Sequence, residues 1–86
     1  MSKTDNKLKT VMQEIEFGDI DVKLDDILNE RNISTYELSN KANIRFQTIK
    51  ILRENQATRI DFGVLSKLCY VLDCKVEDII EYKDSK

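Results

Sequence analysis

Asn43 and Ile44 stand between two short helical patterns that follow one another almost without a gap. Upstream, Ser34 and Glu37 have the S-x-x-E spacing of a capping box, which opens a helix with Leu38 and Ala42 inward. Downstream, a helix from about Phe46 to Arg53 puts Ile49 and Leu52 on one face. Asn accepts positive φ more readily than any residue but Gly. Asn43 can therefore end the first of these helices and turn the chain sharply, with Ile44 re-entering the core. How the two helices meet is set by that turn before any other element is considered.

The rest of the chain reads as further short helices. "LDDILNERN" carries Leu24, Ile27 and Leu28 on one face, with Asp25 and Asp26 in the opening turn, where negative charge suits the helix dipole. "ENQATRI" is a loop. "DFGVLSKLCYVLDC" is a helix capped by Asp61, with Phe62, Val64 or Leu65, Leu68, Cys69 and Leu72 inward. "KVEDIIEY" makes a last short helix that buries Val76, Ile79 and Ile80. Near the N-terminus Leu8, Val11, Met12 and Ile15 fall at offsets 0, 3, 4 and 7, one face of an additional amphipathic helix. Thr4 or Asp5 can cap it, and Gly18 can end it in a left-handed conformation. "IDVKL" alternates and suggests a short extended arm. Without Pro, and with two Gly, the punctuation of a β-sandwich or barrel is missing. The expected fold is all-α, four to five short helices around one core, in a chain of one-domain size.

The 86 residues carry a formal charge of −2, but unevenly. Residues 41–59 hold Lys41, Arg45, Lys50, Arg53 and Arg59 against Glu54, a local +4. Residues 1–40 sum to −4 and residues 60–86 to −2. Such asymmetry points to an anionic partner. No apolar run approaches the roughly 18 residues needed to span a bilayer, so no membrane role is expected. The polar start MSKTDNKLKT lacks a signal-peptide core, so the expected location is cytoplasmic. Cys69 and Cys74 match neither C-x-x-C nor a zinc pattern and are read as free thiols, Cys69 as a small buried hydrophobe. There is no His, phosphate loop, metal spacing or nucleophile–base pair, which argues against an enzyme and against a cofactor. Asp25 with Asp26, and Glu77 with Asp78, are neighbours that point about 100° apart on a helix, so neither pair converges on a substrate.

The helix over residues 46–53 has Gln47, Lys50, Ile51 and Glu54 opposite its buried stripe, with Phe46, Thr48 and Arg53 on the flanks. Exposing Phe46 and Ile51 together has no solvent rationale, whereas a groove lined with thymine methyls supplies one. "STYELSNKANIRFQTIKILREN" resembles the helix-turn-helix of the Cro/C1-type (phage-repressor, XRE-like) transcriptional regulators. Ser34, Glu37, Leu38, Ser39, Asn43, Ile44, Ile49 and Leu52 occupy that pattern in register. "RIDFGVLSKLCYVLDCKVEDIIEY" continues the likeness through the family's fourth and fifth helices, so it spans about Val22 to Tyr82. Asn43 replaces the usual Gly and Ser39 the usual Ala, and Phe46 and Ile51 stand where many members have polar base-reading side chains. The resemblance does not reach residues 1–18.

It implies a five-helix lambda-repressor-like DNA-binding domain at residues 20–82, with a segment 1–19 before it and a frayed tail at 83–86. With the 46–53 helix in the major groove of double-stranded DNA, Phe46, Gln47, Lys50 and Ile51 would meet bases. Gln47 would pair with adenine and Lys50 with guanine, the two apolar side chains lying against thymine methyls. Thr35, Arg45, Thr48, Arg53, Asn55, Gln56 and Arg59 would contact phosphates. Against this, Lys50 and Arg53 can be solvated helix charges, and Phe46 can fold inward against Leu38 or the first helix. A domain of this size covers half a typical site, so a homodimer on a near-palindrome is expected. The N-terminal helix would join the two copies or take a protein partner; the alternatives are packing on its own domain, or disorder. The implied function is a small repressor or related regulator. The alternative is a protein-interaction module on the same fold, an antagonist or partner of another regulator.

Overall fold

The computed structural model describes residues 8–11 and 17–85. In chain order these form β1 (Asp19–Val22), α1 (Leu24–Arg31), α2 (Thr35–Ala42), α3 (Phe46–Arg53), α4 (Phe62–Leu72), α5 (Val76–Ile79) and β2 (Ile80–Lys83). Leu24, Leu28, Leu38, Ala42, Ile44, Ile49, Leu52, Leu65, Leu68, Leu72 and Ile79 make one core, and no polar side chain is buried among the described residues. Helices of eight residues are too short to be stable alone in water, so this shared core holds them.

Every non-Gly residue with positive φ among those described ends a helix: Asn32, Asn43, Asn55 and Asp73, at φ of 52–59°. At each, the amide of the next residue bonds back to the carbonyl five before it: Ile33 to Leu28 at 2.8 Å, Ile44 to Ser39 at 3.2 Å, Gln56 to Ile51 at 3.1 Å and Cys74 to Cys69 at 3.1 Å. That is the Schellman closure, made here by Asn and Asp where Gly is the commoner choice. The spacing also explains the two cysteines. Cys69 and Cys74 occupy the pair of positions that touch across such a closure, both half-buried and free. Burial pushes the Cys74 thiol up, and neighbouring Cys69 and Asp78 add to the rise. A thiol so placed stays protonated, which suits packing and not redox chemistry.

The all-α expectation needs correction. β1 and β2 form a two-stranded antiparallel ribbon, pairing Asp19 with Lys83, Ile20 with Tyr82, Asp21 with Glu81 and Val22 with Ile80. The last helix is one turn long, and at Ile80 the backbone extends to φ −130°, ψ 150°. Ile80, Glu81 and Tyr82 alternate as Ile20, Asp21 and Val22 do, so pairing satisfies the backbone of both segments. Val22 and Ile80 pack on the core. The other face carries the Lys23–Glu81 (3.3 Å) and Lys83–Asp21 (3.8 Å) ion pairs. Lys83, placed in the tail by sequence, ends β2.

Other expectations also move. Gly18 is not left-handed. A Cβ there would lie 2.0 Å from the Lys83 carbonyl oxygen and 2.8 Å from the Tyr82 ring, so a close chain crossing requires the glycine. Phe62 is 82% exposed, and Val76 is exposed too. Leu65, Leu68 and Leu72 define the inner stripe of α4, and Phe62 lies about 90° round from it in the first turn. Asp61 does cap that helix, accepting from the Gly63 and Val64 amides. Ser34 Oγ accepts from the Glu37 amide at 3.0 Å, one direction of the expected capping box. The N-terminal helix falls mostly outside the described residues, Met12 and Ile15 included; Leu8 and Val11 are exposed.

One polar cluster ties α3 to α1 and α2. Arg53 Nε donates to Asp25 Oδ1 at 2.7 Å, Nη2 to Asn29 Oδ1 at 2.7 Å and Nη1 to Thr35 Oγ1 at 3.1 Å. Asn29 in turn donates to Asp25 at 3.0 Å. The Arg53 side chain is only 17% exposed. A second tie runs from Arg31 of α1 to the Leu72 carbonyl at the end of α4, where a cation complements the helix dipole.

Two outcomes test these constraints. Asn43→Ala puts an unfavourable side chain in the left-handed region and should cost about 1 kcal/mol in urea denaturation, whereas Asn43→Gly should cost nothing or stabilise. Arg53→Ala should cost about 2 kcal/mol, the scale of charge-assisted hydrogen bonds. Arg53→Lys should recover little of it in the same measurement, because one ammonium cannot span the three acceptors.

Candidate nucleic-acid interface

α3 is anchored from below. Ile49 is fully buried and Leu52 nearly so, which leaves Gln47 and Lys50 exposed on the opposite side. The N-terminus of the helix is open: Arg45 caps it without a side-chain hydrogen bond, and no acid occupies the first turn. An uncapped helix start with its amides toward solvent favours a negative partner. Phe46, at this open end, is 46% exposed and stands outside the core, on the side of the outward reading.

Ile51 is half-buried, although the wheel places it outward. The turn at Asn55 brings the Gln56 amide back to the Ile51 carbonyl at 3.1 Å. Thr48 is half-buried on the flank. Lys50 Nζ lies 3.0 Å from Glu54 Oε2, an exposed pair of the kind worth about 0.2–1 kcal/mol, easily given up for another anion.

The residues assigned to phosphates separate by position. Arg45, Gln56 and Arg59 are exposed, and neither Arg45 nor Arg59 has an ion pair among the described residues. Thr35 and Arg53 are bonded to each other, and three of the five guanidinium N–H groups are engaged with the protein. Asn55 is a buckle: its Oδ1 accepts from the Val22 amide at 3.0 Å and its Nδ2 donates to Asp21 at 2.9 Å. It therefore ties the end of α3 to β1.

Sequence reasoning missed the part played by three residues. Lys67 of α4 donates to the Asn43 carbonyl at 3.2 Å, bringing a cation to the turn between α2 and α3 from 24 residues away. Asp25, read as a helix-start charge, and Asn29, given no role by the sequence, hold Arg53 in place. The one available signal was their i, i+4 spacing on α1. The outward groups of the site are an amide, ammonium and guanidinium groups, a hydroxyl and an aromatic ring. Such a set makes hydrogen bonds, ion pairs and apolar contacts. Among the described residues, no three His, Cys, Asp or Glu side chains group to hold a metal, and no helix is long and apolar enough to cross a membrane.

Comparison with known proteins agrees with this geometry. The family profile of the Cro/C1-type HTH DNA-binding domain matches residues 23–85. The chain is 31% identical over 65 residues to the uncharacterized HTH-type transcriptional regulator YozG of Bacillus subtilis (strain 168), covering 76% of this chain and 77% of that protein. In fold it is similar to the crystal structure of the transcriptional regulator VanUg, with a TM-score of 0.65 at 23% identity, over 88% of this chain and all of that one. Five short helices, the turn at Asn43 and the profile match agree: this chain belongs to the Cro/C1-type helix-turn-helix DNA-binding family.

Proposed function

We propose that this protein is a sequence-specific transcriptional regulator, a small repressor of the phage type, that lays α3 in the major groove of double-stranded DNA. Gln47 and Lys50 read base edges, with Phe46 and Ile51 against thymine methyls. Arg45, Gln56 and Arg59 hold phosphates, with Thr48 on the flank of α3. Thr35, Arg53 and Asn55 belong to the same backbone-facing rim, and two N–H groups of Arg53 remain for a phosphate. The observation that carries this reading is the exposure of Gln47 and Lys50 on a helix anchored by Ile49 and Leu52. Two copies bind a near-palindrome, with their α3 helices about 34 Å apart. The segment ahead of β1, whose sequence places Leu8, Val11, Met12 and Ile15 at helical spacing, takes a protein partner.

A second reading, a protein-interaction module on the same fold, draws on the net charge of −2 and on large apolar side chains that the core leaves exposed. Salt-insensitive binding to a protein, with no DNA retained, would select it.

The test begins with selection of bound sequences from a random DNA pool, which should return an inverted repeat. On the selected site, Gln47→Ala with Lys50→Ala should lose about 1–3 kcal/mol of discrimination at each base read, seen in polarisation titrations as relaxed preference. Arg59→Ala should instead weaken all sequences alike and lower the slope of log K against log salt by about 1. Unchanged affinity and preference in the double variant would remove both proposed reading residues.

A further inference from the structure

Two aromatic side chains of α4 have no role in the core. Phe62 is 82% exposed and Tyr70 is 87% exposed. Ser66 lies midway between them on the same side of the helix, one turn from each, and is also exposed. Cys69, Leu65 and Val76 lie alongside and form an apolar floor. Scattered exposed hydrophobes are ordinary, but a contiguous patch marks a contact.

The order large, small, large along the stripe has a symmetry consequence. A two-fold interface must be its own complement. An antiparallel second α4, related by an axis at Ser66, places Phe62 against Tyr70 of the second copy at both ends, about 6 Å either side of the centre. The small Ser66 lets the two helix backbones approach at that axis. No stripe residue is charged, so no like charges meet there. Lys67, the adjacent cation, is turned away to the Asn43 carbonyl, and Asp61 is turned back to the Gly63 and Val64 amides.

Area sets the strength. The exposed parts of Phe62, Tyr70 and Val76 amount to roughly 400 Å² per copy, taking about 200 Å² for a whole aromatic side chain. Two copies together bring about 800 Å², half of the roughly 1,600 Å² of a standard stable interface. That suits a weak dimer completed on DNA. The outward face of α3 shares none of these residues.

We propose that the Phe62–Ser66–Tyr70 stripe of α4 is the homodimer interface, with a second copy of this chain packed antiparallel across it. The inference rests on the two-copy reading above, and its first tests need no DNA. Sedimentation equilibrium of the full chain should show reversible monomer–dimer association. Tyr70→Glu, at a site outside the core, should be monomeric with an unchanged far-UV circular dichroism spectrum. Ser66→Cys in a Cys69→Ala/Cys74→Ala background should crosslink to a disulfide dimer under mild oxidation, because residue 66 would meet its own counterpart. On DNA, Tyr70→Glu should bind an isolated half-site as the wild type does, and lose roughly tenfold or more apparent affinity on the inverted repeat. A wild type that stays monomeric and fills two half-sites independently would overturn the proposal. So would a dimer that survives both Tyr70→Glu and Phe62→Glu, since the interface would then lie elsewhere. A 66–66 crosslink in a protein that binds no DNA would support the interface and sink the function proposed above instead.

Discussion

The seating of α3 governs everything this molecule can present to a partner. Ile49 and Leu52 press one side of the helix into the core, but an apolar contact alone leaves a short rod free to roll or slide by part of a turn. Arg53 removes that freedom. Its planar guanidinium reaches one carboxylate and one amide of α1 and the hydroxyl of Thr35 on α2, three acceptors on two helices. Because the clamp sits at the C-terminal end of α3, it fixes the rotation of the helix while leaving the N-terminal half, with Phe46 and Gln47, unobstructed. A recognition surface needs this rigidity, since misplaced side chains lose the hydrogen-bond geometry that separates one base pair from another.

The same clamp alters the meaning of the local charge. Of the five cations between residues 41 and 59, Arg53 is matched by Asp25 and Lys50 by Glu54, while Lys41, Arg45 and Arg59 have no ion pair among the described residues. The cationic character that solvent sees therefore lies around the two ends of α3 rather than along its middle. That distribution suits a helix whose ends pass close to phosphates while its centre faces bases. Lys67, tied to the turn carbonyl, adds to the N-terminal side from a different part of the chain.

Much of this was legible in the sequence because the information was local. The bounds of α3, the left-handed turn at Asn43, the Asp61 cap and the Ile49 and Leu52 anchors all follow from residues within one or two turns of each other. The ribbon was not legible in the same way. "IDVKL" read as extended, but its partner lies some 60 residues downstream, inside a segment whose apolar spacing also satisfied a helix. Asn55 belongs to the same class: as a loop amide it looks free, and only the fold brings Asp21 and Val22 to it. Phe62 failed for the opposite reason. Hydrophobicity was taken as a sign of burial, but the inner stripe of α4 is already filled by three leucines, and a helix has one such face.

That failure at Phe62 leads to the connection between the two surfaces. A lone domain with a three-turn helix could have ended its outer side in Lys and Glu, as α1 ends its own in Glu30 and Arg31. Instead α4 spends two aromatic residues on solvent, and the one lysine between them is directed away. Aromatic side chains in water cost solubility and contribute nothing to the core. They are accounted for when another surface covers them. On a helix that packs against α2, next to the turn that positions α3, such a cover joins the geometry of assembly to the geometry of reading.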